Sequence, residues 1–218
     1  TEVVAYGNKQ VDFLLVLDDS TSMMPELQKL AARMETFVNS LDDSDIDWQM
    51  CLVTTRGVNI NGNVVFGSLE NWSRYSPGAG RSAKVLKKGT GDLNMIFNTT
   101  IANLPIGNGL SGDERGIKAA HSNFVNAASH SCYRPGAAVS VILISDEDER
   151  SVGGNASKVK EKDSKGTYQP LEKEDLPSTF IEQAKATFGH DVRLTFSSII
   201  VKPGDTDCEK AQDLNSNS

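Results

Sequence analysis

Val11 to Leu17 is almost unbroken in apolar residues, and "WQMCLVTT" (Trp48 to Thr55) and "AVSVILIS" (Ala138 to Ser145) repeat that character. Runs of this kind mark strands covered on both faces, as in parallel sheets. Between the first two runs the period changes. Leu27, Leu30, Ala31, Met34, Phe37 and Val38 follow helical spacing, with Pro25 suited to the first turn. Leu93, Ile96, Phe97, Ile101 and Leu104 predict a second amphipathic helix, and Ile117, Ala120, Phe124 and Ala128 a third. "FIEQAKATF" reads as a fourth helix and "VRLTFSSIIV" (Val192 to Val201) as a last strand.

From Arg56 to Gly91 no period holds, and the only local signal is a short hairpin arm around "NVVFGSLENW". Ser151 to Pro177 is polar and charge-mixed and reads as a long surface loop. Strands alternating with helices predict an α/β fold: a Rossmann-like three-layer sandwich, with a mostly parallel central sheet and helices on both faces. One domain over residues 1–218 is expected, with loop insertions at about 56–91 and 151–177.

Net charge is −7, with a pI near 5.0 and no run of Lys or Arg, which argues against a partner held through nucleic-acid phosphates. The apolar runs are strand-sized, well short of the roughly 20 residues of a membrane-spanning helix. Of three cysteines, Cys51 lies inside an apolar strand and is expected to be an inert core thiol. Cys132 and Cys208 lie in polar, turn-like contexts and form the candidate pair. No C-x-x-C is present, so a thiolate zinc site is not expected.

The chemistry concentrates where strands end. "LDDSTS" follows the first strand, "ISDEDE" follows "VILI", and the glycine-rich "GLSGDE" precedes a helix. Ligands in open parallel sheets bind beyond the carboxyl ends of the strands. These three loops therefore bring Asp18, Asp19, Ser20, Ser22, Ser111, Asp113, Glu114, Asp146, Glu147 and Asp148 to one rim. Crowded carboxylates repel one another, and a divalent cation removes the repulsion. Carboxylate and hydroxyl oxygens favour a hard ion, Mg²⁺, Mn²⁺ or Ca²⁺, over zinc. If the first loop leaves its strand extended, Asp18, Ser20 and Ser22 face one way and Asp19 and Thr21 the other. The plainer reading of "DDSTS" is a helix cap, which requires one such residue rather than the whole set.

An apolar strand, then D-x-S-x-S, then an amphipathic helix resembles the von Willebrand factor A (VWA) family and its metal-ion-dependent adhesion site. Asp18, Ser20 and Ser22 match the first element, and Asp146 in "VILISDED" matches the last. The family's middle element is a Thr shortly before a helix; Ser111 in "GLSGDERGI" holds that position. The resemblance implies that Asp18, Ser20, Ser22, Ser111 and Asp146 hold the metal, with Asp113, Glu114 and Asp148 as auxiliary ligands or acceptors behind it. It implies a protein-binding module in which a Glu or Asp carboxylate of a protein partner completes the metal shell. "GLSGDERG" with "SDEDE" is also similar to bacterial exported VWA proteins, which implies a secreted, cell-surface or periplasmic location. The family fold continues through a further helix, strand and helix, so its C-terminal elements are expected to be missing from a chain that stops soon after Cys208.

Two other functions fit the same cation. A Mg²⁺-dependent phosphoryl-transfer enzyme of the haloacid dehalogenase type also puts Asp after an apolar strand. Its pattern is D-x-D, however, and Ser20 occupies the second position. No P-loop follows and no Ser/His/Asp set can be assembled, so a non-enzymatic role is expected. The third reading is an assembly subunit whose site binds a carboxylate within its own complex.

Overall fold

The computed structural model describes residues 9–61, 63–73, 75, 83–104, 115–146, 149 and 171–200. In chain order the elements are β1 (Gln10–Leu17), α1 (Met24–Asp43), β2 (Asp47–Thr54), β3 (Val58–Ile60), β4 (Asn63–Val65), β5 (Leu86–Lys87), α2 (Leu93–Ala102), α3 (Gly116–Val125), β6 (Ala138–Ile144), α4 (Pro177–Phe188) and β7 (Leu194–Ile199). Five strands form one sheet in the order β5-β2-β1-β6-β7. Every pairing within it is parallel except that of the short edge strand β5. The α/β class expected from the alternating pattern is thus present.

Strand alternation divides the core into two layers. Phe13, Leu15 and Leu17 of β1, with Trp48, Met50 and Leu52 of β2, pack on one face with Leu27 and Val38 of α1 and Ile96, Phe97 and Ile101 of α2. Leu14 and Val16, with Cys51, Val53, Val139, Val141 and Leu143, pack on the other face with Ala119, Ala120 and Phe124 of α3 and Phe180 and Ala184 of α4. In-register pairs such as Leu14–Cys51 and Leu14–Val141 keep each set on its own face. β1 is therefore apolar at both parities, which is why its sequence reads as a continuous run.

The segment after β2 carries more structure than the short hairpin arm expected around "NVVFGSLENW". β3 and β4 form a hairpin, with Asn61 at φ 54° in the turn. Leu69 bridges Val53, and Trp72 donates its indole N–H to Met50 O at 3.2 Å. Phe66, Trp72, Val85 and Leu86 are buried. Each is a single anchor rather than a member of a repeating face, so no period marks them. Gly67 lies at φ 71°, and a Cβ there would stand 2.3 Å from Ala119 O. Only glycine permits this loop to press on α3.

The cysteine expectation is corrected. Cys51 is bonded to Cys132, across 81 residues of sequence with Cα atoms 5.9 Å apart. Cys51 is therefore not a free core thiol, and Cys132 does not pair with Cys208, which lies outside the described residues. Cys51 points to the α3 face of the sheet, where the turn after α3 delivers Cys132, and both are fully buried. Among the described residues no helix is long and apolar enough to cross a membrane.

Candidate functional site at the carboxyl edge of the sheet

β1 is the central strand. The chain moves from it to β2 on one side and later to β6 on the other, so the order reverses between β1 and β6. That reversal opens a crevice beyond the strand ends, the usual ligand position in such sheets. Asp18 sits in the crevice, and its N–H extends the ladder to Ile144 O at 2.9 Å.

The polar groups there are connected. Ser20 N–H donates to Asp18 Oδ1 at 2.8 Å, and Ser145 Oγ donates to Asp18 Oδ2 at 2.6 Å. The hydroxyls of Ser20 and Ser22 are 2.9 Å apart, and Ser22 Oγ donates to Asp146 Oδ1 at 3.4 Å. Four of the expected site residues, Asp18, Ser20, Ser22 and Asp146, are thus brought together. Ser111, Asp113, Glu114 and Asp148 lie outside the described residues, as does Glu147. α1 makes no side-chain cap hydrogen bond at its first turn, so "DDSTS" does not serve as its cap.

Asp19 turns away from this group. Its carboxylate pairs with Arg56 Nε at 3.3 Å, without hydrogen-bond alignment, and its carbonyl accepts from Arg56 Nη2 at 3.4 Å. Burial pushes the Asp19 carboxyl up to about 6; Arg56 opposes that rise and the Asp18 charge adds to it. The Asp146 carboxyl is raised as well, first by burial and then by Asp18.

The two ends of β1 differ in how they treat a buried acid. Asp12, fully buried at the start of the strand, accepts from Arg134 Nε at 2.7 Å. Asp18, equally buried at the other end, has an amide and a hydroxyl as its partners rather than a cation. Buried charges are ordinarily paired or bound to metal. Asp19 Oδ1 and Thr55 Oγ1 are further buried oxygens at this edge without a hydrogen-bond partner. This donor set, carboxylates and hydroxyls without imidazole or thiolate, fits a hard divalent cation. Among the described residues no three His, Cys, Asp or Glu side chains are grouped to hold a metal, so the hydroxyls of Ser20 and Ser22 are required members of any such site.

Sequence reasoning missed three contributors. Ser145 reads only as the last residue of the strand run "AVSVILIS", and Arg56 as the start of an aperiodic stretch; they stand one and two positions beyond a strand end, which is the available signal. The third, Glu149, accepts from Ile117 N–H at 2.8 Å and Lys118 N–H at 3.1 Å, linking the segment after β6 to the start of α3. Beside it lies a buried ion network: Arg115 donates to both Asp175 oxygens, reaches Glu172 at 2.8 Å, and lies over the Phe66 ring.

No protein-family model matches the chain, and no curated protein matches it. Among solved structures, two crystal forms of proximal thread matrix protein 1 from the mussel byssus are similar. One shows 17% identity and a TM-score of 0.43 over 89% of this chain, the other 16% and 0.42 over 93%. The chain spans about two fifths of the length of those solved chains, 38% and 40% respectively.

Proposed function

We propose that the protein is a VWA-type binding module in which a divalent cation at the β1–β6 crevice captures an acidic residue of a protein partner. The observation that carries this reading is the fully buried Asp18 carboxylate, held by an amide and a hydroxyl and joined through Ser20 and Ser22 to Asp146. Asp18, Ser20, Ser22 and Asp146 would hold the ion, with Ser111 contributed by the glycine-rich loop. Bound there, the cation supplies an electrophilic centre for an outside carboxylate. The hydroxyls are neutral donors, so they leave more positive charge on the metal than further carboxylates would. Mg²⁺ is the first candidate, with Mn²⁺ and Ca²⁺ as alternatives of the same oxygen chemistry. The buried Cys51–Cys132 bridge supports an extracytoplasmic setting, where disulfides persist.

The test is calorimetric titration with Mg²⁺ and Mn²⁺, followed by titration of the loaded protein with a short Glu- or Asp-bearing peptide. Uptake of one ion per chain that is lost in Ser20→Ala, and peptide binding abolished by EDTA, are expected. Well-folded protein that takes up neither ion, or binds peptide equally with EDTA, would overturn the reading.

A further inference from the structure

Asp146 and Glu149 belong to one short segment after β6. Asp146 meets Ser22 in the crevice, while both oxygens of Glu149 accept backbone N–H groups at the first turn of α3, from Ile117 and Lys118. These are two of the four amides a helix leaves unpaired at its start. The helix's own cap position, Arg115, makes no side-chain cap bond, so an acid three residues beyond Asp146 does that task from another part of the chain. The same turn is fixed on its other sides. Arg115 N–H donates to Thr55 O at 3.1 Å, beyond the end of β2, and the Arg115 side chain is sealed against Asp175 and Glu172. Lys118 also reaches Glu172, at 3.1 Å.

The segment carrying Asp146 is therefore held at two points: by the β6 ladder before it, with Ser145 N–H donating to Ile199 O at 3.1 Å, and by the Glu149 clamp after it. We infer that Glu149 is a positioning residue for the candidate metal site: its bidentate grip on the α3 amides holds Asp146 in register with Ser20 and Ser22. This rests on the metal reading above. It adds that the start of α3 and the β6 loop act as one unit, and that ion affinity depends on an acid that touches no ion. A carboxyl group fits the clamp because its two diverging oxygens take two neighbouring N–H groups; burial, with Asp175 nearby, pushes Glu149 up to about 8, so the grip rests on those two bonds rather than on charge. Glutamine retains one acceptor oxygen of the two; alanine retains neither.

The experiment titrates Mn²⁺ into the full 218-residue chain and into Glu149→Ala, Glu149→Gln and Ser20→Ala, with amide hydrogen exchange measured on each folded protein. The expected result is affinity at least tenfold weaker in Glu149→Ala, an intermediate loss in Glu149→Gln, and faster exchange at Ile117, Lys118 and Asp146 in both. Should Glu149→Ala not fold, Glu149→Gln carries the comparison. Wild-type affinity in a Glu149 variant that has lost protection at Ile117 and Lys118 overturns the positioning role while leaving the metal reading intact. Protection unchanged in that variant overturns the clamp itself. No Mn²⁺ uptake by the wild-type chain overturns the metal reading, and the positioning role with it.

Discussion

Ser22 Oγ lies 3.4 Å from Asp146 Oδ1 although 124 positions separate them in sequence. One follows the central strand β1 and the other follows its neighbour β6, so the contact records the point where the two halves of the sheet meet. The hydroxyl of Ser22 is also 2.9 Å from that of Ser20, which makes it the joint between the two strand ends.

If a cation binds there, it stabilises the native fold by mass action. Mg²⁺ or Mn²⁺ at about a hundred times its dissociation constant adds about 2.7 kcal/mol. Thermal unfolding with and without EDTA should show this gain in the wild type and its loss in Ser20→Ala and Ser22→Ala. A gain that survives in both variants would place the ion elsewhere.

Without metal, the pH profile should run against the usual acid-denaturation trend over a narrow window. The Asp19 carboxyl rises from 3.8 to about 6 on folding, chiefly through burial. The folded state therefore binds a proton more tightly than the unfolded state does. The stabilisation is complete below pH 4 and disappears as pH rises through about 6, a loss of about 3 kcal/mol. Asp146 shifts in the same direction. Urea midpoints of the EDTA-treated protein should fall between pH 4 and 6.5, and Asp19→Asn should flatten the slope.

Reduction should weaken the fold substantially. A bridge closing about 80 residues contributes about 4–5 kcal/mol through the unfolded chain's lost entropy. Cys51→Ala/Cys132→Ala should lower the urea midpoint accordingly, and non-reduced peptide mapping should join the peptides containing Cys51 and Cys132. A midpoint unmoved by reduction would contradict the bridge.

Arg115 and Asp175 are both fully buried and bonded to each other. Removing one partner strands the other's charge, at a cost of about 3–5 kcal/mol. Asp175→Ala should approach that figure in chemical denaturation. Because Arg115 keeps Glu172, also 2.8 Å away, the loss should sit at the lower end.

How much of this was legible beforehand depended on the range of the interaction. β1, β2, β6 and β7, and the four helices, were visible because apolar periodicity is a local record of which faces are covered. Asp18, Ser20 and Ser22 do converge, but not by the extended alternation expected: the chain bends at Ser20 and Thr21 and turns at Ser22, where Met23 N–H donates to Ser20 O at 3.2 Å. β5 escaped because two residues cannot display a period.

The sequence by itself therefore determined the α/β class, the two-sided burial of β1 and the acid-and-hydroxyl chemistry at the ends of β1 and β6. Tertiary structure alone decided the rest. It paired Cys51 with Cys132, turned Asp19 onto Arg56, set Ser145 against Asp18 and sent Glu149 to the amides of α3. Each of these depends on which strand lies beside which and on which helix covers which face. A chain of residues carries no separate mark for that order, because it emerges from burying all the apolar faces at once.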